Sequence, residues 1–109
     1  MAQLERTMNE DYMGLLLRIE NGILQGSASA SAEGGSDFRT GDVRCSVRVF
    51  ERYSWLGGNR VSMTVTLFQA GAGQPVQLSA ITSGGSQALY TKVNTWGEEN
   101  FLKKLEELL

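Results

Sequence analysis

The sequence predicts an α+β fold: an antiparallel meander sheet of four to five strands, with an N-terminal and a C-terminal helix packed on one face. Three observations predict it. Apolar residues recur at helical spacing near both ends of the chain, the period falls to two between them, and the alternating segments are joined by glycine-bearing turns too short for crossover helices. With 109 residues, 41% hydrophobic and 20% charged, the chain has the size and composition of one globular domain covering residues 1–109.

The first helix is expected over residues 7–24. Met8, Tyr12, Leu15, Leu16, Ile19 and Ile23 fall on one side there, while Glu10, Asp11, Arg18 and Glu20 lie mostly elsewhere. Thr7-Met8-Asn9-Glu10 fits a capping box, Asn9 is an alternative cap, and Gly22 or Gly26 is placed to end the helix in a left-handed conformation. Residues 1–6 are open between a short edge strand through Leu4 and a frayed arm. Ser27-Ala28-Ser29-Ala30-Ser31-Ala32 alternates hydroxyl and methyl, which favours a strand over a flexible linker, with Gly34 and Gly35 marking a bulge or bend before Phe38.

Strict alternation then predicts strands over 43–49 and 61–67, and Val76, Leu78 and Ala80 give one face to a strand over 74–83. Segment 89–94 is the expected fifth strand. Turns fall at 39–42, 56–59 and 70–73, each with glycine, so successive strands are expected to be hairpin neighbours. The last helix is expected to open on the capping box Thr95-Trp96-Gly97-Glu98, with Glu98 and Glu99 favoured by the helix dipole, and to bury Phe101, Leu102, Leu105, Leu108 and Leu109.

Alternation also divides the sheet into two faces. Val43, Cys45, Val47 and Val49 are expected to share the helix-covered face with Val61, Met63, Val65 and Leu67, which makes Cys45 a small buried apolar side chain. The other face would then carry Arg44, Ser46, Arg48, Phe50 and Arg52 beside Arg60, Ser62, Thr64, Thr66 and Phe68. Arg44, Arg48 and Arg52 recur every fourth residue and form a stripe with steps of ~13 Å. Between Arg39 and Arg60, five arginines against Asp42 and Glu51 give +3; the whole chain is −2, so the remainder carries −5. A polar wet face with arginines lying over aromatics is the simplest explanation. The functional one is a binding site for an anionic small molecule or a protein partner, formed by Arg44, Arg48, Phe50, Arg52, Arg60, Thr64 and Phe68, or a homodimer contact through the same face.

Composition removes several function classes. The chain has no histidine, so a Ser-His-Asp triad, a Cys-His pair and a histidine metal site are all excluded. No metal or cofactor signature is present. One cysteine permits no internal disulfide, and neither a signal sequence nor a membrane-length apolar run occurs, so a cytoplasmic setting away from membranes is expected. Nucleic acid is disfavoured by the acidic total and by the lack of a Lys/Arg-Gly-Phe sheet signature. Trp55 near the 56–59 turn is an exposed contact point or a lid on the sheet end, and Trp96 is expected to pack at the start of the last helix.

Four runs resemble a family of small uncharacterised bacterial proteins described as a domain of unknown function: Asp42-Val43-Arg44-Cys45-Ser46-Val47-Arg48-Val49-Phe50-Glu51-Arg52-Tyr53-Ser54, Gly57-Gly58-Asn59-Arg60-Val61, Ala80-Ile81-Thr82-Ser83-Gly84-Gly85-Ser86-Gln87-Ala88 and Asn94-Thr95-Trp96-Gly97-Glu98-Glu99. The resemblance covers nearly the whole chain and implies no activity. Two classes of function stay open. The first is a non-enzymatic binding or self-assembly module using the Arg/Ser/Thr/Phe face. The second is a small-molecule carrier or histidine-free enzyme with a pocket near the 83–87 turn, where Ser83, Ser86 and Gln87 offer polar groups.

Overall fold

A computed structural model describes residues 1–54, 59–84 and 91–109, with the backbone alone for 54, 59 and 91–96. In chain order the elements are β1 (Ala2–Met8), α1 (Tyr12–Gly26), β2 (Ser31–Thr40), β3 (Val43–Ser54), β4 (Asn59–Gln69), β5 (Val76–Gly84) and α2 (Thr91–Glu106). All strand pairs are antiparallel, and the order across the sheet is β1-β5-β4-β3-β2.

The sheet-plus-two-helix class is therefore as the periodicity predicts, but the strands and their order are not. From β2 to β5 each strand neighbours the next, whereas β1 crosses to the far edge and pairs with β5, Met8 opposite Val76. From Ala2 onward the first residues are thus edge strand rather than arm. The fifth strand is not 89–94: Thr91 to Asn94 are already helical, and 89–90 lie outside the described residues.

Both helix starts move for physical reasons. Pairing in β1 removes Thr7 and Met8 from α1, and the cap is Asp11, whose extended backbone lets its carboxylate accept from Gly14 N at 2.8 Å. Neither Gly22 nor Gly26 provides a left-handed stop; positive φ occurs among the described residues only at Gly41 and Gly73, both in turns. Helix α2 begins before Thr95, so the box at 95–98 lies inside it and Glu98 is buried against the Met1 amino group. The Ser/Ala repeat is mostly turn, with Ala30 N bonded to Ser27 O, and β2 begins only at Ser31. The expected bulge is present, as the β2–β3 register shifts between Ala32 and Gly34.

One core cluster joins Tyr12, Leu15, Leu16, Ile19 and Ile23 of α1 with Phe101, Leu102 and Leu105 of α2 over Val61, Met63, Val65, Leu67, Val76, Leu78 and Ala80. Leu108 and Leu109 pack on its margin, and Arg18 of α1 donates to Leu108 O at 2.8 Å, holding the end of α2.

Candidate functional site

Register decides which side of β3 meets the helices. Arg44 stands opposite Gln69, Ser46 opposite Leu67, Arg48 opposite Val65, Phe50 opposite Met63 and Arg52 opposite Val61. Even-numbered residues of β3 therefore share a face with odd-numbered residues of β4. The expected grouping of Val43, Cys45, Val47 and Val49 with the Val61 side is inverted, and the arginine stripe belongs to the helix-covered face. Four residues separate Ser54 from Asn59, and an even-length connection always opposes odd to even. That length was the signal available in the sequence.

Each arginine of the stripe is consequently built into the sheet–helix packing. The Arg44 guanidinium carbon lies 4.2 Å from the centre of the Tyr12 ring, and its Nε donates to Gln69 Oε1 at 3.0 Å. Arg48 donates to Glu20 of α1 at 3.2 Å, to both carboxylate oxygens of Asp37 at 3.1 and 3.2 Å, and to the carbonyls of Val47 and Ser36. Those partners use the fork that a carboxylate or phosphate ligand would require. Arg52 lies 4.9 Å over the Phe101 ring, and burial lowers its pKa from the ordinary guanidinium value. Phe50, expected on the ligand side, is 1% exposed in the core.

A hydrogen-bonded chain runs beside this packing. The buried Tyr12 hydroxyl lies 2.7 Å from Ser46 Oγ and 3.3 Å from Leu67 O, and burial raises its pKa. Ser46 is the cross-strand partner of Asp37. The Ser46 hydroxyl first, and then the Arg48 guanidinium, holds the Asp37 carboxyl below its usual range.

The remaining predicted residues lie on the uncovered face. Phe68 is 37% exposed, Thr64 is half-buried, and Arg60 is exposed with its Nε 2.7 Å from Glu51 Oε1, a pairing that raises its pKa. Cross-strand rows on this face read Phe38, Cys45, Phe68, Gln77 and Thr7, then Ser36, Val47, Thr66, Ser79 and Glu5, then Gly34, Val49, Thr64, Ile81 and Gln3. Cys45 is thus half-buried between two phenylalanines, not part of the core. Sequence reasoning missed Phe38, 63% exposed, together with Val43, Val47, Val49 and Ile81 as surface residues. A polar margin of Ser62, Ser83, Glu51 and Arg60 bounds one end, where the hydroxyls of Ser62 and Ser83 are 2.9 Å apart.

Ser83 is exposed on that margin, while Ser86 and Gln87 of the second predicted site lie outside the described residues, as does Trp55. A shallow groove of about 390 Å³ crosses the open face between Glu5, Thr66, Phe68, Gln77 and Ser79. Among the described residues no group of three Asp, Glu or Cys side chains converges to hold a metal, and no helix is long and apolar enough to cross a membrane.

Compared with known protein families, the chain matches a family of unknown function (DUF6054) over residues 1–109. No curated protein and no solved structure matches. The chain belongs to the DUF6054 family.

Proposed function

We propose that this DUF6054 member is a non-enzymatic binding module whose contact surface is the uncovered face of its sheet, docking the apolar surface of a protein partner. The observation that carries the reading is the set of large apolar side chains on the face opposite the helices, with Phe38, Val43, Phe68 and Ile81 all exposed. Apolar side chains interspersed with Thr64, Thr66 and Ser79, and a margin of Ser62, Ser83, Glu51 and Arg60, make the mixed apolar and polar surface typical of a non-obligate protein interface. The stripe itself is a poorer anion site, since the Arg48 donors are engaged within the fold and Arg44 lies over Tyr12 with its Nε on Gln69. A reducing, cytoplasmic setting suits a half-exposed Cys45 in a chain with no second cysteine.

The test is a photo-crosslinking residue at Thr66, in the middle of the open face, compared with one at exposed Lys103 on α2. A discrete adduct of defined mass is expected from position 66 and not from 103, and it should vanish when Phe68→Ser is added. Equal labelling from both positions, or none from 66, would remove the proposal.

A further inference from the structure

Strand β2 ends the sheet opposite β1, is ten residues long, and has nine exposed residues and no proline. Its outer row of backbone donors and acceptors is a template for another strand. Its charges are Glu33, Asp37 and Arg39, of which Asp37 is already taken by Arg48. Glu33 is the bulged residue with no partner on β3, and Arg39 is exposed, with Nε on the nearby Gly41 carbonyl.

Antiparallel geometry limits how such an edge can pair with its own copy. Opposed residues either both direct their N–H and C=O groups at each other or both direct them away, and the two kinds alternate along the strand. A two-fold axis must therefore pass through a residue. Centring on Gly35 sets Glu33 against Asp37 twice, and centring on Asp37 sets that carboxylate against itself. Centring on Gly34 leaves Arg39 beyond the overlap, and centring on Phe38 leaves only 36–40 paired. Centring on Ser36 sets Glu33 against Arg39 twice and Phe38 against Gly34 twice. At Gly34 an added Cβ would meet nothing within 4 Å, so there is room for the exposed Phe38 ring, and an aromatic across from an edge glycine is a known stabilising arrangement. The β1 edge has no such register, because its Glu5 and Arg6 are adjacent and a two-fold axis through a residue never opposes neighbours.

We infer that the chain forms a two-fold dimer by antiparallel pairing of β2 with β2 of a second copy, centred on Ser36 and fixed by two Glu33–Arg39 pairs. The product is a continuous ten-stranded sheet with all helices on one side and the two open faces side by side on the other. This assembly stands whether or not the open face binds a protein partner.

Sedimentation of the full chain over a concentration series tests it. Wild type is expected to reach a dimer, and Glu33→Arg and Arg39→Glu are each expected to weaken association about thirtyfold by turning two attractive pairs repulsive. An equimolar mixture of the two variants should restore the dimer, since every opposed pair then joins Arg to Glu. Phe68→Ser should leave the dimer intact while abolishing the Thr66 adduct, which separates the edge from the face. A wild type that stays monomeric, single variants that associate as tightly as wild type, or a mixture no tighter than its components would overturn the inference.

Discussion

Phe50 and Phe68 show how far apart two residues of the same type can stand. Phe50 is sealed beneath the helices and Phe68 is on the open face. Phe50→Ala is expected to cost about 3–5 kcal/mol in a urea titration and Phe68→Ser about 1 kcal/mol or less, so equal losses would contradict the assignment of faces. Asp37 gives a pH signature. Its folded pKa lies below the unfolded carboxylate value of about 3.9, because the Ser46 hydroxyl and Arg48 guanidinium favour the ionised form. Between those two values the unfolded chain binds more protons than the folded one, so stability rises with pH. The contribution is present above about pH 4 and is lost as pH falls through the folded pKa. Asp37→Asn should flatten the dependence of the urea midpoint on pH below about 4, and an unchanged slope would show that Asp37 is not coupled to folding.

At the scale of elements, the turn that follows α2 meets α1 at Gly22. A Cβ there would meet the Leu108 side chain, so the glycine accommodates the close approach of the residues after α2 and does not serve helix termination. Alanine would favour the helix by about 1 kcal/mol were the space free. Gly22→Ala is therefore expected to gain about that amount only in a Leu108→Ala background, and to be neutral or destabilising otherwise. A double-mutant cycle by thermal or urea unfolding measures the coupling, and additivity would refute the contact. Loop length acts at the same scale. The even connection between β3 and β4 set the arginines against α1 and α2, where Tyr12, Glu20 and Phe101 receive them.

At the scale of the whole molecule, helices on one face leave a five-stranded sheet half covered. The open rows around Val47, Thr64 and Phe68 form the proposed contact surface, and the proposed pairing of β2 edges would double it. Of the seven residues first grouped as one site, Arg44, Arg48, Phe50 and Arg52 lie under the helices, while Arg60, Thr64 and Phe68 remain on the open face. The two groups came together in sequence because alternation gives a parity within each strand. It does not give the parity of one strand relative to the next.

By itself the sequence determined that two amphipathic helices cover an antiparallel sheet, and that Val61, Met63, Val65 and Leu67 with Val76, Leu78 and Ala80 form its buried face. Those strands place Val61, Met63, Val65, Leu67, Val76, Leu78 and Ala80 on one parity and only Phe68 and Ile81 of their large apolar residues on the other, so burial favours the first. Strand β3 has apolar residues on both parities, Val43 to Val49 on one and Phe50 on the other, with arginines whose stems can pack on aromatics. Only tertiary structure decided its orientation, because pairing register and the complementary groups on α1 and α2 are non-local. The same holds for β1, whose seven residues gain strand identity only from the exposed edge of β5.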